Sequence, residues 1–422
     1  MTRFIFFLII SLYFLPFDAT AQVTTNADRV YDDNIVNVLL YAKGDQLKAP
    51  VIELGSQEQL TLSFDDLSNQ QETYKYTLIH YTSDWKTSDL QPIEYLTGYL
   101  EGDITNYKFS FNTLTAYIHY QLNFPKPEMR PKLSGNYILK VYLDNDGDTN
   151  VLITRRFFVM EPLVTIAANV PYYPKNLAYD KIKQQIDFVS NTPDIFSAEP
   201  EQRFKVNIRQ NDRWDNAYFN IHPTSVTPNE LQYNFANGIV FNSGNEPRYF
   251  DMKSFWYQSE YIRKIIQLKN YYKVILHTDY PRAGGQYETY KDIHGKMFIA
   301  ARSDQNPDTE GDYAIVYFSL KMPEIKNAAV YILGQLTNWQ LSNKNKLTYN
   351  PQQHQYEGKL LLKQGYYEYW YAVLPAGSRR ADITPIEGSF WNTRNTYTIY
   401  VYYHNVMPEY DRLVGMQQIN AH

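Results

Sequence analysis

The side chains that could take part in catalysis are scattered along this chain. The nucleophile motif Gly-x-Ser-x-Gly, the zinc motif His-Glu-x-x-His and the glycine-rich phosphate loops are all absent from the sequence. The eight histidines, among them His80, His119, His222 and His294, do not place two metal ligands on one element with a third close by. We therefore expect no catalytic residues, no cofactor-binding residues, no metal ligands and no enzymatic activity.

Carboxylates leave one enzymatic alternative open. The chain has 45 Asp and Glu residues, and a glycoside hydrolase needs only two facing carboxyl groups about 5 to 10 Å apart. A sequence does not show which carboxylates face each other. The expectation for most of them is a solvated position on the surface.

Three aspartates at alternate positions resemble a calcium-binding loop. They lie in the run Asp144-Asn145-Asp146-Gly147-Asp148. An EF-hand loop requires Gly where Thr149 stands and an acidic residue where Arg155 stands, so the pattern fails. Asp-Gly suits the positive φ angles of a tight turn, and we predict the tip of a β-hairpin.

Trp339 is the aromatic residue with the most suggestive position. It lies in a turn that follows a strand, close in sequence to Tyr-rich strands. Such a ring could stack on a sugar, or it could anchor a hydrophobic core, where burial of a Trp contributes a few kcal/mol. We expect the core position.

The elements that would position these residues are mainly β-strands, because apolar and polar residues alternate in short runs bounded by turn residues. In the first part of the chain, seven runs fit one antiparallel sandwich. They are Asn34–Tyr41, Gln59–Phe64, Thr73–Tyr81, Tyr107–Phe111, Ala116–Phe124, Tyr137–Asp144 and Val151–Met160.

The middle part of the chain is less regular, and its long loops are candidate contact surfaces. A boundary is expected at Glu161-Pro162, and a short helix around Tyr257–Leu268. Strands are predicted at Leu163–Val170, Gln184–Val189, Arg203–Gln210, Tyr249–Lys253, Tyr272–His277 and Lys296–Ala301.

The last third reads as a further sandwich. Its predicted strands are Tyr313–Leu320, Ala329–Leu333, Tyr356–Leu362, Tyr366–Leu374 and Thr396–Tyr403. In Tyr366–Leu374 the period of two puts Tyr367, Tyr369 and Tyr371 on one face, and Tyr366, Glu368 and Trp370 on the other. We expect one face to pack and the other to be partly exposed.

These patterns predict an all-β protein of tandem immunoglobulin-like β-sandwiches. The expected units are a signal peptide at 1–21, an N-terminal sandwich at 22–162, a β-rich middle domain at 163–311, a C-terminal sandwich at 312–407 and a tail at 408–422. About 400 residues exceed what one hydrophobic core usually holds, which agrees with several units.

Composition narrows the possible partners. A net charge of -5 and a pI near 5.9 argue against a broad nucleic-acid surface, which needs clustered Lys and Arg. The chain contains 40 Tyr and 22 Phe. Aromatic side chains favour strands, and Tyr tolerates partial exposure to water, so this surplus fits sheet faces and aromatic binding surfaces.

The first residues have the features of a secretory signal peptide. Arg3 precedes an apolar run from Phe4 to Phe17, and Ala19-Thr20-Ala21 forms a cleavage site. The run of about fourteen residues is shorter than the roughly twenty that span a bilayer. Since the chain has no Cys, we expect neither disulfides nor a lipid anchor.

Several motifs together resemble the plug proteins of the type IX secretion system. They are Tyr331–Trp339, Lys363–Tyr367, Glu387–Phe390, Thr396–Tyr403 and Asp411–Gly415. The N-terminal sandwich is similar as well, so the resemblance covers nearly the whole mature chain. It implies a periplasmic protein that binds the inner mouth of a large outer-membrane β-barrel translocon and closes it while no substrate is engaged.

The last third also resembles the glycogen-binding immunoglobulin-like domains. Their Gly-x-Phe-Asn-x-Trp motif is echoed at Gly334–Trp339, with Leu336 and Thr337 in the middle. A carbohydrate-binding protein of a polysaccharide-handling system is therefore the alternative function. Because likeness of fold does not transfer function, this alternative requires exposed aromatic rings to support it.

Cleavage after Ala21 gives a direct prediction. The mature protein is expected to begin at Gln22 and to appear in the periplasmic fraction without a lipid. Intact-mass spectrometry of the purified native protein checks this expectation. An N-terminus at Met1, or an added lipid mass, would contradict it.

Overall fold

The chain folds almost entirely into β-sheets. The computed structural model describes residues 26–145, 148–193, 195, 199–234 and 238–421, so the predicted signal peptide at 1–21 lies outside the described residues. Strands hold 48% of the residues and helices 5%, which confirms the prediction of an all-β protein. Within the described ranges, no helix combines the length and apolar character needed to cross a membrane.

The first part of the chain forms two sheets that pack face to face. One sheet has the order β1-β12-β11-β5-β7, with β3 parallel to β12, and the other has the order β2-β4-β9-β8. Leu62, Tyr120, Leu139 and Phe157 are buried between them. The elements are β1 (Arg29–Val30), β2 (Ile35–Ala42), β3 (Val51–Glu53), β4 (Leu60–Asp66), β5 (Tyr74–Tyr81), α1 (Pro92–Tyr95), β6 (Leu96–Gly98), β7 (Gly102–Ile104), β8 (Asn106–Phe109), β9 (Ile118–Phe124), β10 (Met129–Pro131), β11 (Gly135–Asn145) and β12 (Asp148–Met160).

This sandwich agrees with the sequence pattern. Each of the seven predicted runs overlaps one of its strands. The β11–β12 ladder continues until Asn145 lies opposite Asp148, which confirms the predicted hairpin. Asp146 and Gly147 at its tip lie outside the described residues.

The remaining elements divide between two further cores. The middle elements are β13 (Thr165–Asn169), β14 (Lys183–Gln185), β15 (Asp187–Asn191), α2 (Pro200–Arg203), β16 (Phe204–Gln210), β17 (Tyr218–Ile221), β18 (Ser225–Val226), β19 (Glu230–Tyr233), β20 (Val240–Asn242), β21 (Arg248–Asp251), β22 (Ile262–Gln267), β23 (Tyr272–Leu276) and β24 (Met297–Ile299). The last elements are β25 (Tyr313–Lys321), β26 (Ala328–Leu333), β27 (Thr348–Asn350), β28 (Gln355–Lys363), β29 (Gly365–Pro375), α3 (Thr384–Glu387), β30 (Thr396–Val406) and β31 (Glu409–Asn420).

The end of the chain returns to the first half of the middle segment. A sheet of order β17-β16-β30-β31 places Thr396–Val406 beside Phe204–Gln210, and its core includes Val206, Ile399 and Val414. The predicted tail at 408–422 is therefore wrong, since Glu409–Asn420 is a strand. The polar residues at the start of this segment suggested a position outside the sheets. In the structure, Asp411 is buried and accepts hydrogen bonds from Ser83.

The second half of the middle segment completes the sheets of the last third. Both β21 and β24 pair with β29, and β23 runs parallel to β25 in the order β22-β23-β25-β28-β27. Strands of residues 163–311 thus pair with strands of residues 312–407, which the sequence did not show, because alternation specifies a strand but not its partner. The division into folding units at those residues stays a prediction.

The predicted helix around Tyr257–Leu268 is also wrong. Ile262–Gln267 forms the edge strand β22 and pairs antiparallel with β23. Ile262, Ile265 and Ile266 are β-branched residues that favour a strand. The neighbouring β23 supplies the backbone hydrogen bonds that make the extended form stable.

A buried ion pair joins the N-terminal sandwich to the last third. The Asp65 carboxylate on β4 accepts hydrogen bonds from Lys363 Nζ and Tyr313 OH at 2.7 and 2.6 Å, and His119 Nδ1 lies 2.6 Å from its other oxygen. Neither Asp65 nor Lys363 is exposed. Burial raises the pKa of Asp65, but the Lys363 charge and the His119 hydrogen bond outweigh burial and lower this pKa below its ordinary value.

Removal of the Lys363 ammonium tests this connection. Lys363→Met would leave the Asp65 charge unpaired in a dry site, which typically costs about 3 to 5 kcal/mol of stability. Urea unfolding of the purified protein measures the loss. The double variant Asp65→Asn, Lys363→Met should be more stable than the single variant. Lys326→Met at the surface Glu324 pair is the matched control, and an equal effect of the two single variants would contradict the prediction.

Candidate functional site

Trp339 is only half-buried in the structure. Its ring lies 5.9 Å from the ring of Trp370, measured between centroids. It also borders a cavity of about 100 Å³ whose lining includes Arg155, Arg209 and Asp212. The ring thus packs against the core without reaching the fully buried position that the sequence suggested.

Both faces of the Tyr-rich strand β29 are covered. Tyr367, Tyr369 and Tyr371 are buried as predicted, but Glu368 and Trp370 on the opposite face are buried too. The expectation that this second face is partly exposed is wrong except at Tyr366, which is half-buried. The segment that precedes β24 crosses this face, and the backbone N–H groups of residues 293 and 295 donate to Glu368.

The histidines singled out from the sequence lie in separate environments. His80 is buried beside the Ser134 carbonyl, and burial lowers its pKa to about 4. His119 belongs to the Asp65 network, and His222 Nδ1 lies 2.9 Å from the Glu201 carbonyl oxygen. Among the described residues, no group of three or more His, Asp or Glu is arranged to hold a metal ion.

Three carboxyl groups that the sequence did not bring together form a buried cluster. Glu246 and Glu368 are at most 1% exposed, and the side chain of Asp292 is 3% exposed. Tyr287 OH and the backbone N–H of Arg394 donate to Glu246, while Tyr366 OH donates to Glu368 at 3.0 Å. Asp292 Oδ2 has no hydrogen-bond partner in the structure.

Burial of these carboxyls favours the protonated form of Asp292, and to a smaller degree that of Glu368. Burial, followed by the hydrogen bond and charge of Glu246, raises the pKa of Asp292 to about 9. Burial also raises the pKa of Glu368 to about 7, against the hydrogen bonds from the backbone. A protonated carboxyl is what a general acid requires, but these groups are covered by protein and contact little solvent. The hydrogen bonds of Glu368 to backbone N–H groups help to hold the covering segment in place.

Sequence reasoning missed this cluster because its members are far apart in the chain. Glu246 lies in the irregular segment between β20 and β21, Asp292 lies in another irregular segment, and Glu368 lies within β29. Glu368 was the available signal, because it lies between aromatic residues of a predicted strand. A charged residue that is buried in such a strand needs polar partners nearby.

Two exposed tyrosines line a hollow, and two further exposed aromatic residues lie in the loop between β21 and β22, close in sequence to one of them. We call Trp256, Tyr257, Tyr261 and Tyr280 the aromatic rim; Trp256 is 82% exposed and Tyr257 is 64% exposed. The hollow has a volume of about 640 Å³, and Tyr261 and Tyr280 line it. Arg302 lies over the Trp256 ring, 4.6 Å from its centroid.

A buried ion network forms the floor of the hollow. Arg248 contacts Glu387 at 3.1 Å and Asp279 at 2.7 Å, and Arg282 contacts Glu387 at 2.7 Å. Asp279 also accepts hydrogen bonds from Tyr369 and Tyr371 of β29. Tyr261 and Tyr280 of the aromatic rim therefore lie beside a floor whose charges are paired. Exposed Trp, Tyr and Arg on a rigid support are the residues that dominate protein–protein binding energies.

Comparison with known proteins identifies the family. Residues 35–161, which cover most of the N-terminal sandwich, match the family model of the type 9 secretion system plug protein, first domain. The N-terminal sandwich of this chain belongs to the type IX secretion plug protein family.

The fold is shared with a solved structure over nearly the whole chain. The crystal structure of a hypothetical protein from Parabacteroides merdae ATCC 43184 is 35% identical, with a TM-score of 0.90, and the match covers 93% of this chain and 99% of that one. The C-terminal domain of the Streptococcus pyogenes antigen I/II-family protein AspA aligns at 7% identity with a TM-score of only 0.16. None of the curated proteins is significantly similar to the chain. Family membership connects this protein with type IX secretion and with the cell envelope.

The carboxyl cluster makes the stability of the fold depend on pH. Because the pKa of Asp292 is raised to about 9, the folded state binds more protons than the unfolded state at neutral pH. The free energy of unfolding should therefore fall as pH rises from about 7 to 9, by at most about 1.4 kcal/mol per pH unit. Urea unfolding at both pH values measures the slope, and Asp292→Asn should flatten it.

A surface carboxylate provides the control for this slope. Asp304 is exposed and pairs with Arg302, so Asp304→Asn should keep the pH dependence of the wild type. If Asp292→Asn and the wild type lose the same stability between the two pH values, the raised pKa of Asp292 does not govern the slope.

Proposed function

We propose that this protein is a non-enzymatic periplasmic plug, which binds and closes the inner mouth of the type IX outer-membrane translocon while no substrate is engaged. The match of residues 35–161 to the plug-protein family carries the proposal. The mature chain is proposed to act in the periplasm after cleavage behind Ala21. Its partner is the large translocon β-barrel, without a role for nucleic acid, cofactors or a lipid anchor.

Rigidity supports this role. A protein that blocks a wide pore must resist deformation, and here strands from distant parts of the chain pair with each other. Thr396–Val406 pairs with Phe204–Gln210, and Gly365–Pro375 pairs with Arg248–Asp251. Such pairings connect distant parts of the chain within one sheet, so the protein can block a pore as one rigid unit.

The aromatic rim is the proposed contact with the barrel. A reversible plug needs an interface that stays compatible with water when it is released, which favours Tyr and Trp over aliphatic residues. Tyr261 and Tyr280 of the rim line the hollow together with Arg248 and Asp279, whose charges are paired. Little order has to be gained on binding, and this lowers the entropic cost of docking.

The positions of the aromatic rings give little support to carbohydrate binding, the alternative function. Its candidate rings were Trp339 and the tyrosines of Tyr366–Tyr371. Trp339 packs against Trp370, while Tyr367, Tyr369 and Tyr371 are buried. A sugar ring stacks only on an open aromatic face, and the three buried tyrosines do not offer one.

A deletion strain tests the plug. Without the protein, an assembled translocon should stay open at its inner mouth, and the strain should become sensitive to large antibiotics that porins exclude. The wild-type gene should restore resistance. A gene for the variant Trp256→Ser, Tyr257→Ser should restore it less well, and the variant should co-purify less with the barrel. Minimal inhibitory concentrations and affinity purification provide the two measurements.

The control replaces exposed apolar residues outside the aromatic rim. Leu177 and Met407 are 84% and 91% exposed, so Leu177→Ser, Met407→Ser removes similar surface and should restore resistance fully. Unchanged antibiotic sensitivity in a deletion strain with an assembled barrel would refute the plug. A growth defect confined to one polysaccharide would instead support carbohydrate binding.

A further inference from the structure

A second surface, apart from the aromatic rim, carries an unusual concentration of positive charge. It is the outer face of the five-stranded sheet β22-β23-β25-β28-β27. We call it the basic groove; its volume is about 880 Å³, and it is lined by Arg263, Lys273, Lys344, Lys346 and Lys359. These five cations gather on a protein whose net charge is -5.

Most of these cations lack an acidic partner. Lys344 pairs with Asp33, but no carboxylate among the described residues lies within ion-pair distance of the side chains of Arg263, Lys273, Lys346 and Lys359. Glu357, the carboxylate in the lining, already accepts hydrogen bonds from the side-chain amides of Asn350 and Gln355. The groove therefore presents positive charge that its own chain leaves unbalanced.

The sheet fixes the positions of this charge. Tyr317 on β25 lies opposite Lys359 on β28 and beside Ile275 on β23. Lys273 Nζ lies over the Tyr317 ring, 4.2 Å from its centroid. Positive charges that share one groove repel one another, and a bound anion would relieve this repulsion.

The shape and lining of the groove favour a polypeptide. Five strands spaced by about 4.8 Å span roughly 19 Å, which matches about six residues of an extended peptide. Thr278, Thr348 and Gln353 at its sides offer hydrogen-bonding groups suited to peptide N–H and C=O groups. A sugar would need the open face of Tyr317, and the Lys273 ammonium covers that face.

We propose that the basic groove binds an extended acidic polypeptide segment. Its carboxylates would contact Arg263, Lys346 and Lys359, and its backbone would lie across Tyr317 and Ile275. The proposal concerns a separate surface and does not rest on the plug role. Binding of this kind is driven by charge complementarity, so its affinity should fall steeply as salt rises.

The test uses the full mature protein and a labelled peptide of about twelve alternating Asp and Ser residues, which supplies regularly spaced carboxylates. Fluorescence anisotropy at about 50 mM and about 200 mM NaCl measures affinity and its salt dependence. Lys346→Glu, Lys359→Glu should weaken binding about tenfold or more. Lys346→Arg, Lys359→Arg should retain it, because the charge is kept.

The matched control is Lys108→Glu, Lys132→Glu, which makes the same charge change at exposed positions of the N-terminal sandwich. An equal loss of affinity in the control would overturn the proposal, because attraction would then depend on net charge alone. Binding of phosphatidylglycerol vesicles that needs Lys346 and Lys359, without peptide binding, would overturn it in favour of a lipid surface. Thermal melting checks the fold of each variant. If the Glu pair is unfolded, the milder Arg263→Gln, Lys359→Gln variant decides by the same comparison.

Discussion

The buried ion pair between the Lys363 ammonium and the Asp65 carboxylate is the contact on which the assembly of this protein depends most. A bare charge at that depth would be costly, and each partner makes the burial of the other tolerable. Asp65 comes from the N-terminal sandwich, whereas Lys363 and Tyr313 come from the last third. The pair therefore fixes how the matched family domain meets the rest of the chain, and it does so without any disulfide.

Buried carboxylates with charged or hydrogen-bonding partners also occur at other contacts between sheets. Glu387 is held by Arg248 and Arg282 below the hollow, and Asp411 accepts hydrogen bonds from Ser83 at the junction of the N-terminal sandwich with β31. Directional contacts of this kind specify one arrangement of sheets more sharply than apolar contacts do. For a protein proposed to block a pore, such rigidity is functional, because a deformable plug would leak.

The tyrosine surplus has two distinct uses in this structure. Buried tyrosines bring an apolar ring together with a hydroxyl donor, as Tyr369 and Tyr371 do towards Asp279. Exposed tyrosines, such as Tyr257 and Tyr280, provide contact surface that tolerates water. The aromatic rim and the basic groove are neighbouring features, since Thr278 lines both the hollow and the groove. The two surfaces proposed for binding therefore lie side by side on the same part of the molecule.

The sequence by itself determined the all-β class, the seven strands of the first sandwich and the β11–β12 hairpin, because alternation and turn residues are local signals. It also showed the resemblance to the plug-protein family, because each motif consists of residues that are adjacent in the chain. Only the tertiary structure decided which strands pair, that Glu409–Asn420 is a strand and that Ile262–Gln267 is not helical. The same holds for Glu246, Asp292 and Glu368, and for the cations of the basic groove. Their proximity comes from strand pairing between distant segments, and no local pattern records which distant backbone will supply the hydrogen bonds.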